Sequence, residues 1–236
     1  MSEVTEERQD AADAAVIERE KKQFVKMTQT RISRLIIGLA VPTTLSMMVT
    51  SLYNLADTYF VSQIGNDSIT AAASNLLALM SVIQAIGFTF GMGCGNIVSR
   101  LLGKKDRKGA DAVFSSTLLV SFISGLLILG LGFAFFTPIL KLFGCNAQTL
   151  VHAKAYAKWL LLAAPFMCMS FVFNNVLRAE GKAMLSMIGL VVGAVINVAL
   201  DPVLIFSANL GIQGAAIATC ISQLLSFCVL LFMFLS

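Results

Sequence analysis

Six stretches of apolar residues divide the chain, near 35–61, 69–94, 112–136, 156–177, 184–207 and 214–235. A helix rises about 1.5 Å per residue and the hydrocarbon core of a bilayer is about 30 Å thick, so each stretch predicts one transmembrane helix. The expected fold is therefore an all-α integral membrane protein with six spans over residues 31–236. Only the connections around 95–111 and 138–155 are long. Residues 1–30 break the pattern. They are charged throughout, lack the apolar core of a signal peptide, and predict a cytosolic charged arm, amphipathic or disordered.

The polar positions between the runs set an orientation. Arg100, Lys104, Lys105, Arg107 and Lys108 load the second connection, Arg178 and Lys182 the fourth, and Arg31 and Arg34 precede the first span. The opposite side carries only Lys141, Lys154 and Lys158, all in the third region. By the positive-inside rule both termini are expected in the cytoplasm and the protein in the plasma membrane as a multi-pass chain. The basic loop reads as a topology signal with some attraction to anionic headgroups, so membrane lipid is an expected partner and nucleic acid is not. The sixth run stops at Ser236 with no polar tail, which leads to the expectation of one half of a larger assembly or a truncated product.

Composition agrees with the pattern. Of 236 residues, 57% are hydrophobic and 13% charged, against about 25% charged in a soluble domain. Residues 1–34 hold seven acids and seven bases, so the net charge of +4 belongs to the membrane part. Cys94, Cys145, Cys168, Cys220 and Cys228 show no metal or disulfide spacing and read as small hydrophobes. His152, the only histidine, is expected in a loop and cannot build a multi-histidine site. No Ser-His pair, H-E-x-x-H or G-x-G-D motif is present, which points away from an intramembrane enzyme.

Two acids change the picture. Asp57 and Asp201 alone among the acidic residues lie inside apolar runs. A carboxylate at bilayer depth costs about 3 kcal/mol or more unless a proton, an ion or a partner satisfies it, so each is a functional candidate. At about 1.5 Å per residue they lie roughly 33 and 26 Å from the cytoplasmic starts of the first and fifth spans, close enough in height to face one cavity. Side chains three and four positions back share a helical face. Tyr53 and Asn54 thus accompany Asp57, and Asn197 accompanies Asp201. Tyr53 can donate to an ionised Asp57, and the two amides can donate to a carboxylate or turn a carbonyl to a cation. Thr219 adds an oxygen if the sixth span packs beside the fifth. Pro202 frees the carbonyl of Val198 and makes a place to bend. Pro42 and Pro165 are further candidate kinks. In a closed cavity such acids can carry H+ or Na+, with Asp57 and Asp201 as the candidate ligands, and exchange it when water or a competing cation enters. The plainer alternative is that each acid only ties helices together.

Other features are weaker. Gly87, Gly91 and Gly95 form a double G-x-x-x-G that permits close helix contact. Asn75 and Gln84 line a cavity or bond across helices. Met47, with Met48, Met80, Met167 and Met169, offers a pliable surface for apolar ligands, although methionines in such a stripe are more often packing. Arg178 and Glu180 are expected in a cytoplasmic turn held by local charge pairs.

The stretch Tyr53-Asn54-Leu55-Ala56-Asp57-Thr58, the turn Leu177-Arg178-Ala179-Glu180-Gly181, the run Asn197-Val198-Ala199-Leu200-Asp201-Pro202, and Gly211 to Thr219 together resemble the N-terminal half of multidrug and toxic compound extrusion (MATE) transporters over about residues 30–236. The resemblance implies one lobe of a twelve-helix antiporter that exports cationic or amphipathic small molecules against H+ or Na+, with no other cofactor. It also implies a cation-linked site at Tyr53, Asp57, Asn197, Asp201 and Thr219, and more loosely at Asn174 or Asn175. The second lobe is missing here, so a second lobe or second chain is an expected partner. Two other readings stand beside this one. A lipid-linked flippase of related fold would need basic residues in its cavity, and the spans hold essentially none beyond Lys158. A non-transporting scaffold or remnant would show no ion-dependent change in the fluorescence of Trp159.

Overall fold

The computed structural model describes residues 32–235, and the predicted arm at 1–30 lies outside them. The described residues form helices joined by turns, without a strand among them. The first helix, α1, is Ile32–Ser62. It is followed by α2 (Asp67–Gly103), α3 (Arg107–Ala134), the short α4 (Phe136–Leu142), α5 (Leu150–Ala179), α6 (Ala183–Pro202) and α7 (Ile212–Leu235). All but α4 are long and apolar enough to cross a membrane, α6 together with the turn that follows it. The chain separates into two units, of which the first ends at Pro42 and contributes the start of α1, and the second begins at Thr43 and holds the rest.

The two long connections expected from sequence are mostly helix. Asn66 caps α2 by accepting from the Ser68 amide at 3.0 Å, and the helix runs on to Gly103. Asp106 then starts α3 by accepting from the Gly109 amide at 2.9 Å. A polar side chain at an N-cap satisfies an amide that the helix leaves open, so the basic segment 104–108 holds a tight turn, between the α2 C-cap at Lys104 and the α3 N-cap at Asp106. Farther on, α4 and the first turns of α5 occupy most of 138–155, and His152 is therefore helical.

Within the second unit α5 is the central helix, with 72% of its most apolar window buried against 17% for α3. The glycine repeat explains one side of that burial. A Cβ on Gly87 or Gly91 would meet Phe171, and one on Gly95 would meet the Asn175 backbone, so α2 lies directly on α5. Another side is aromatic: Phe173 of α5 packs edge-on to Phe114 of α3 and to Phe227 and Phe234 of α7. Edge-to-face pairs of this kind contribute about 0.5–1.5 kcal/mol each beyond the area they bury.

After Pro202 the chain continues as one wide turn, Val203–Ser207, in which the Ala208 amide donates to the Val203 carbonyl at 2.9 Å. Gly214 meets this turn backbone to backbone: a Cβ there would strike Leu204. The start of α7 is thereby held against the end of α6, just past Asp201.

Candidate functional site

Four helices bring polar side chains to one buried point. α1 supplies Asp57, which is 7% exposed, and α6 supplies Asp201, which is fully buried. Between them stands Tyr156 of α5, whose hydroxyl donates to Asp57 Oδ2 at 3.2 Å and lies within hydrogen-bonding reach of Thr219 on α7. Asn197, one turn before Asp201, donates through Nδ2 to Thr219 Oγ1 at 3.3 Å and, at a long 3.5 Å, to Asp201 Oδ1. The two carboxyl groups are within electrostatic reach of one another.

Three oxygens of this cluster, Asp57 Oδ1, Asp201 Oδ2 and Asn197 Oδ1, are buried without a hydrogen-bond partner. Buried polar atoms are nearly always partnered, and a group of acceptors that lacks donors suits a proton or a small cation. With only two acidic side chains, the cluster falls short of three His, Cys, Asp or Glu, and no such group occurs among the described residues.

A cavity of about 330 Å³ adjoins the cluster. Asn197 belongs to both, and Tyr53, within electrostatic reach of Asp57, stands on the cavity wall. Asn54, Gln84, Asn174, Gln223 and Arg178 supply its other main polar groups, and Met47, Phe88, Met167 and Phe171 much of its apolar lining. On α5 the run from Tyr156 to Arg178, and on α6 the run from Ser186 to Asp201, put the acids at one end of the cavity and Arg178 at the other.

The residues singled out from sequence divide as follows. Asp57, Asp201, Asn197 and Thr219 meet as expected. Tyr53 and Asn54 face the cavity, and Tyr156 takes the hydrogen-bonding place beside Asp57 that the spacing suggested for them; Tyr53 lies within hydrogen-bonding reach of Gln223 instead. Asn174 is buried, lines the cavity and donates to the Ser186 carbonyl of α6 at 3.1 Å. Asn175 turns the other way, bonding within α5 to the Phe171 carbonyl and facing α2. Met47 and Gln84 are cavity residues, whereas Asn75 is not: its amide reaches Cys145 Sγ at 3.9 Å, far along α2 from Gln84.

Two residues of the site escaped the sequence reading. Tyr156 sits at the predicted start of the fourth span, and its partner is 99 positions away, so no local spacing signals the pair. Arg178 was assigned to a charged turn. The ion pair there joins Lys182 and Glu180 at 3.1 Å, while Arg178 lies in the last turn of α5, donates through Nε to Ser186 Oγ at 3.1 Å and lines the cavity. The expectation of spans free of basic residues apart from Lys158 is corrected accordingly.

Comparison with known proteins gives the family and the fold. The MatE family pattern matches residues 42–203. The multidrug export protein MepA of Staphylococcus haemolyticus is 32% identical over 202 residues, 86% of this chain and 45% of that protein. A solved structure of MATE in the bent conformation superposes with a TM-score of 0.83 at 29% identity, covering 89% of this chain and 46% of the other. An outward-facing multidrug resistance MATE family transporter of the MOP superfamily gives the same values. The chain spans about half the length of the relatives it matches.

Proposed function

The chain belongs to the MatE family, and on that premise we propose that it forms the N-terminal lobe of an exporter that expels cationic or amphipathic compounds in exchange for H+ or Na+. The observation that carries the reading is the acid cluster itself: two buried carboxylates on two helices, linked through Tyr156, Thr219 and Asn197, with three donor-free oxygens. A cation entering between Asp57 and Asp201 relieves the repulsion of the carboxylates and supplies what those oxygens lack. Tyr53 and Asn197 also face the cavity, so a cationic compound there and the coupling cation act on shared side chains. Two ligands that draw on the same groups oppose each other's binding, and that reciprocal effect is the basis of exchange.

The break at Pro202 gives α6 a place to bend as the cluster gains or loses its cation, because a ligand shifts a conformational equilibrium only through its different affinity for the two states. The basic turn at 104–108 supports a cytoplasmic side for the Arg178 end and for both termini, in the plasma membrane. Substrate passage calls for a second six-helix lobe, on the same polypeptide or another, facing this cavity.

Asp57→Asn and Asp201→Asn, each in the complete transporter, test the reading. Loss of coupled export with the protein still in the membrane is the expected result, and undiminished export by both variants defeats it. Arg178 gives the lipid-linked flippase its one supporting observation. A lone guanidinium is little for a pyrophosphate, and binding of a lipid pyrophosphate to purified protein would be needed to prefer that alternative.

A further inference from the structure

Among the described residues Arg178 is the one basic side chain on the cavity wall, and no acid there answers it. Glu180, the nearest carboxylate in sequence, pairs with Lys182. Ser186 holds the Nε of Arg178, and its Nη groups have no partner among the described residues. Asn174, one turn back, has its amide nitrogen committed to the Ser186 carbonyl, so the same two helices fix both side chains. Arg178 also lines a second, more open pocket with Asn96, Ser99 and Asn175. The guanidinium therefore stands between the cavity and an opening at that end of the helices. A tethered guanidinium whose remaining N–H groups face open space is a ready receptor for a planar oxyanion, which it can hold through two parallel hydrogen bonds.

We propose that Arg178 forms an oxyanion subsite at the end of the cavity remote from Asp57 and Asp201, so that the cavity accepts compounds carrying a carboxylate or phosphate as well as a cation. At about 1.5 Å per residue the cavity lining on α5, from Met167 to Arg178, spans about 16 Å, enough to separate the two charges of one amphipathic molecule. Phe88, Phe171 and Met167 offer an apolar wall between them. The inference rests on the reading of the cavity as a site for amphipathic compounds. The oxyanion has two sources, a zwitterionic solute or the phosphate of a phospholipid headgroup.

The test compares rhodamine B, which bears a carboxylate beside its cationic ring system, with rhodamine B ethyl ester, in which that charge is removed. Binding to the purified full chain is read by fluorescence anisotropy, in phospholipid-free dodecyl maltoside micelles and in phosphatidylcholine nanodiscs. The wild type should prefer the acid, and Arg178→Gln should weaken the acid about tenfold while leaving the ester unchanged. Ser186→Ala, which keeps the charge and releases its tether, should give a smaller loss of the same selectivity and guards against a folding defect in the first variant. A solute site shows the preference in both media. A lipid site shows it in micelles only, and loses it as phosphatidylcholine is titrated into those micelles. Equal affinity of the wild type for acid and ester, or equal weakening of both in Arg178→Gln, overturns the subsite alone. Failure of both probes to bind the wild type overturns the cavity reading with it.

Discussion

The two ends of the cavity carry opposite charge and are assembled in opposite ways. At the acid end, Asp57, Tyr156, Asp201 and Thr219 come from four helices, and the hydrogen bond that joins the first two closes a loop of 99 residues. At the other end Arg178, Ser186 and Asn174 come from two consecutive helices joined by a tight turn at Gly181, where φ is 82°, and the bonds cross 8 and 12 positions. The acid end therefore exists only when the whole bundle has formed, whereas the arginine end is nearly a local motif. Damage should spread accordingly: changes in the bundle act first on the acids, and changes near the α5–α6 turn act first on Arg178.

The largest break in that comparison is removal of charge at the acid end. Asp57→Asn or Asp201→Asn should reduce export by the complete transporter to background, measured as dye efflux from energised cells with membrane abundance checked alongside. Next comes Tyr156→Phe. It deletes the donor to Asp57 Oδ2, and leaving a buried acceptor unsatisfied costs about 1–3 kcal/mol. Export should fall about tenfold on that cost, with Tyr53→Phe milder, because Tyr53 does not bond Asp57. Equal losses in the two tyrosine variants would mean that the bridge through Tyr156 contributes nothing of its own.

Packing gives a smaller effect that reaches both ends at once. α5 carries Tyr156 near one terminus and Arg178 near the other, and Gly125 of α3 rests against its middle, where a Cβ would run into the Pro165 backbone. Backbone cannot swing aside as a side chain can, so Gly125→Ala should destabilise by about 1–3 kcal/mol. Gly130→Ala, whose Cβ would meet nothing within 4 Å, is the internal control. Thermal unfolding in detergent should show a lower Tm for the first variant and an unchanged Tm for the second.

The same contrast explains what was legible in the sequence. Membrane spans are written locally, in runs of about 20 apolar residues, and all six appear close to their expected places. The acids were visible because a carboxylate in such a run is conspicuous, and Asn197 because it sits one turn from Asp201. Tyr156 was invisible for the complementary reason: tyrosine at the end of an apolar run is ordinary, and only folding gives it Asp57. Arg178 was misread through its neighbours. A sequence of Arg, Ala, Glu, Gly and Lys suggests a web of local pairs, yet the side chain of a helix's last turn points back along the helix, toward the cavity and away from the turn.

The asparagines carry the comparison to its smallest effect. Asn75 and Asn174 both lie in apolar helices, the first expected to line a cavity or bond across helices, the second implied by the resemblance to belong loosely to the cation-linked site. Asn174 is 1% exposed and spans from α5 to the Ser186 carbonyl on α6, beside the hydroxyl that holds Arg178. Asn75 is half-buried, and the hydrogen bond it makes is a long contact with a sulfur, which is a weak acceptor. Asn174→Ala removes a donor from a buried carbonyl and loosens the hairpin under Arg178, so it should lower Tm and erode the preference for rhodamine B over its ester. Asn75→Ala should leave that preference and export unchanged and shift Tm by no more than a degree or so, in line with about 0.5 kcal/mol for a surface-type change. A loss of probe selectivity in Asn75→Ala would mean that the cavity extends along α2 to the end held by Cys145, and the separation of the two ends by charge would have to be redrawn.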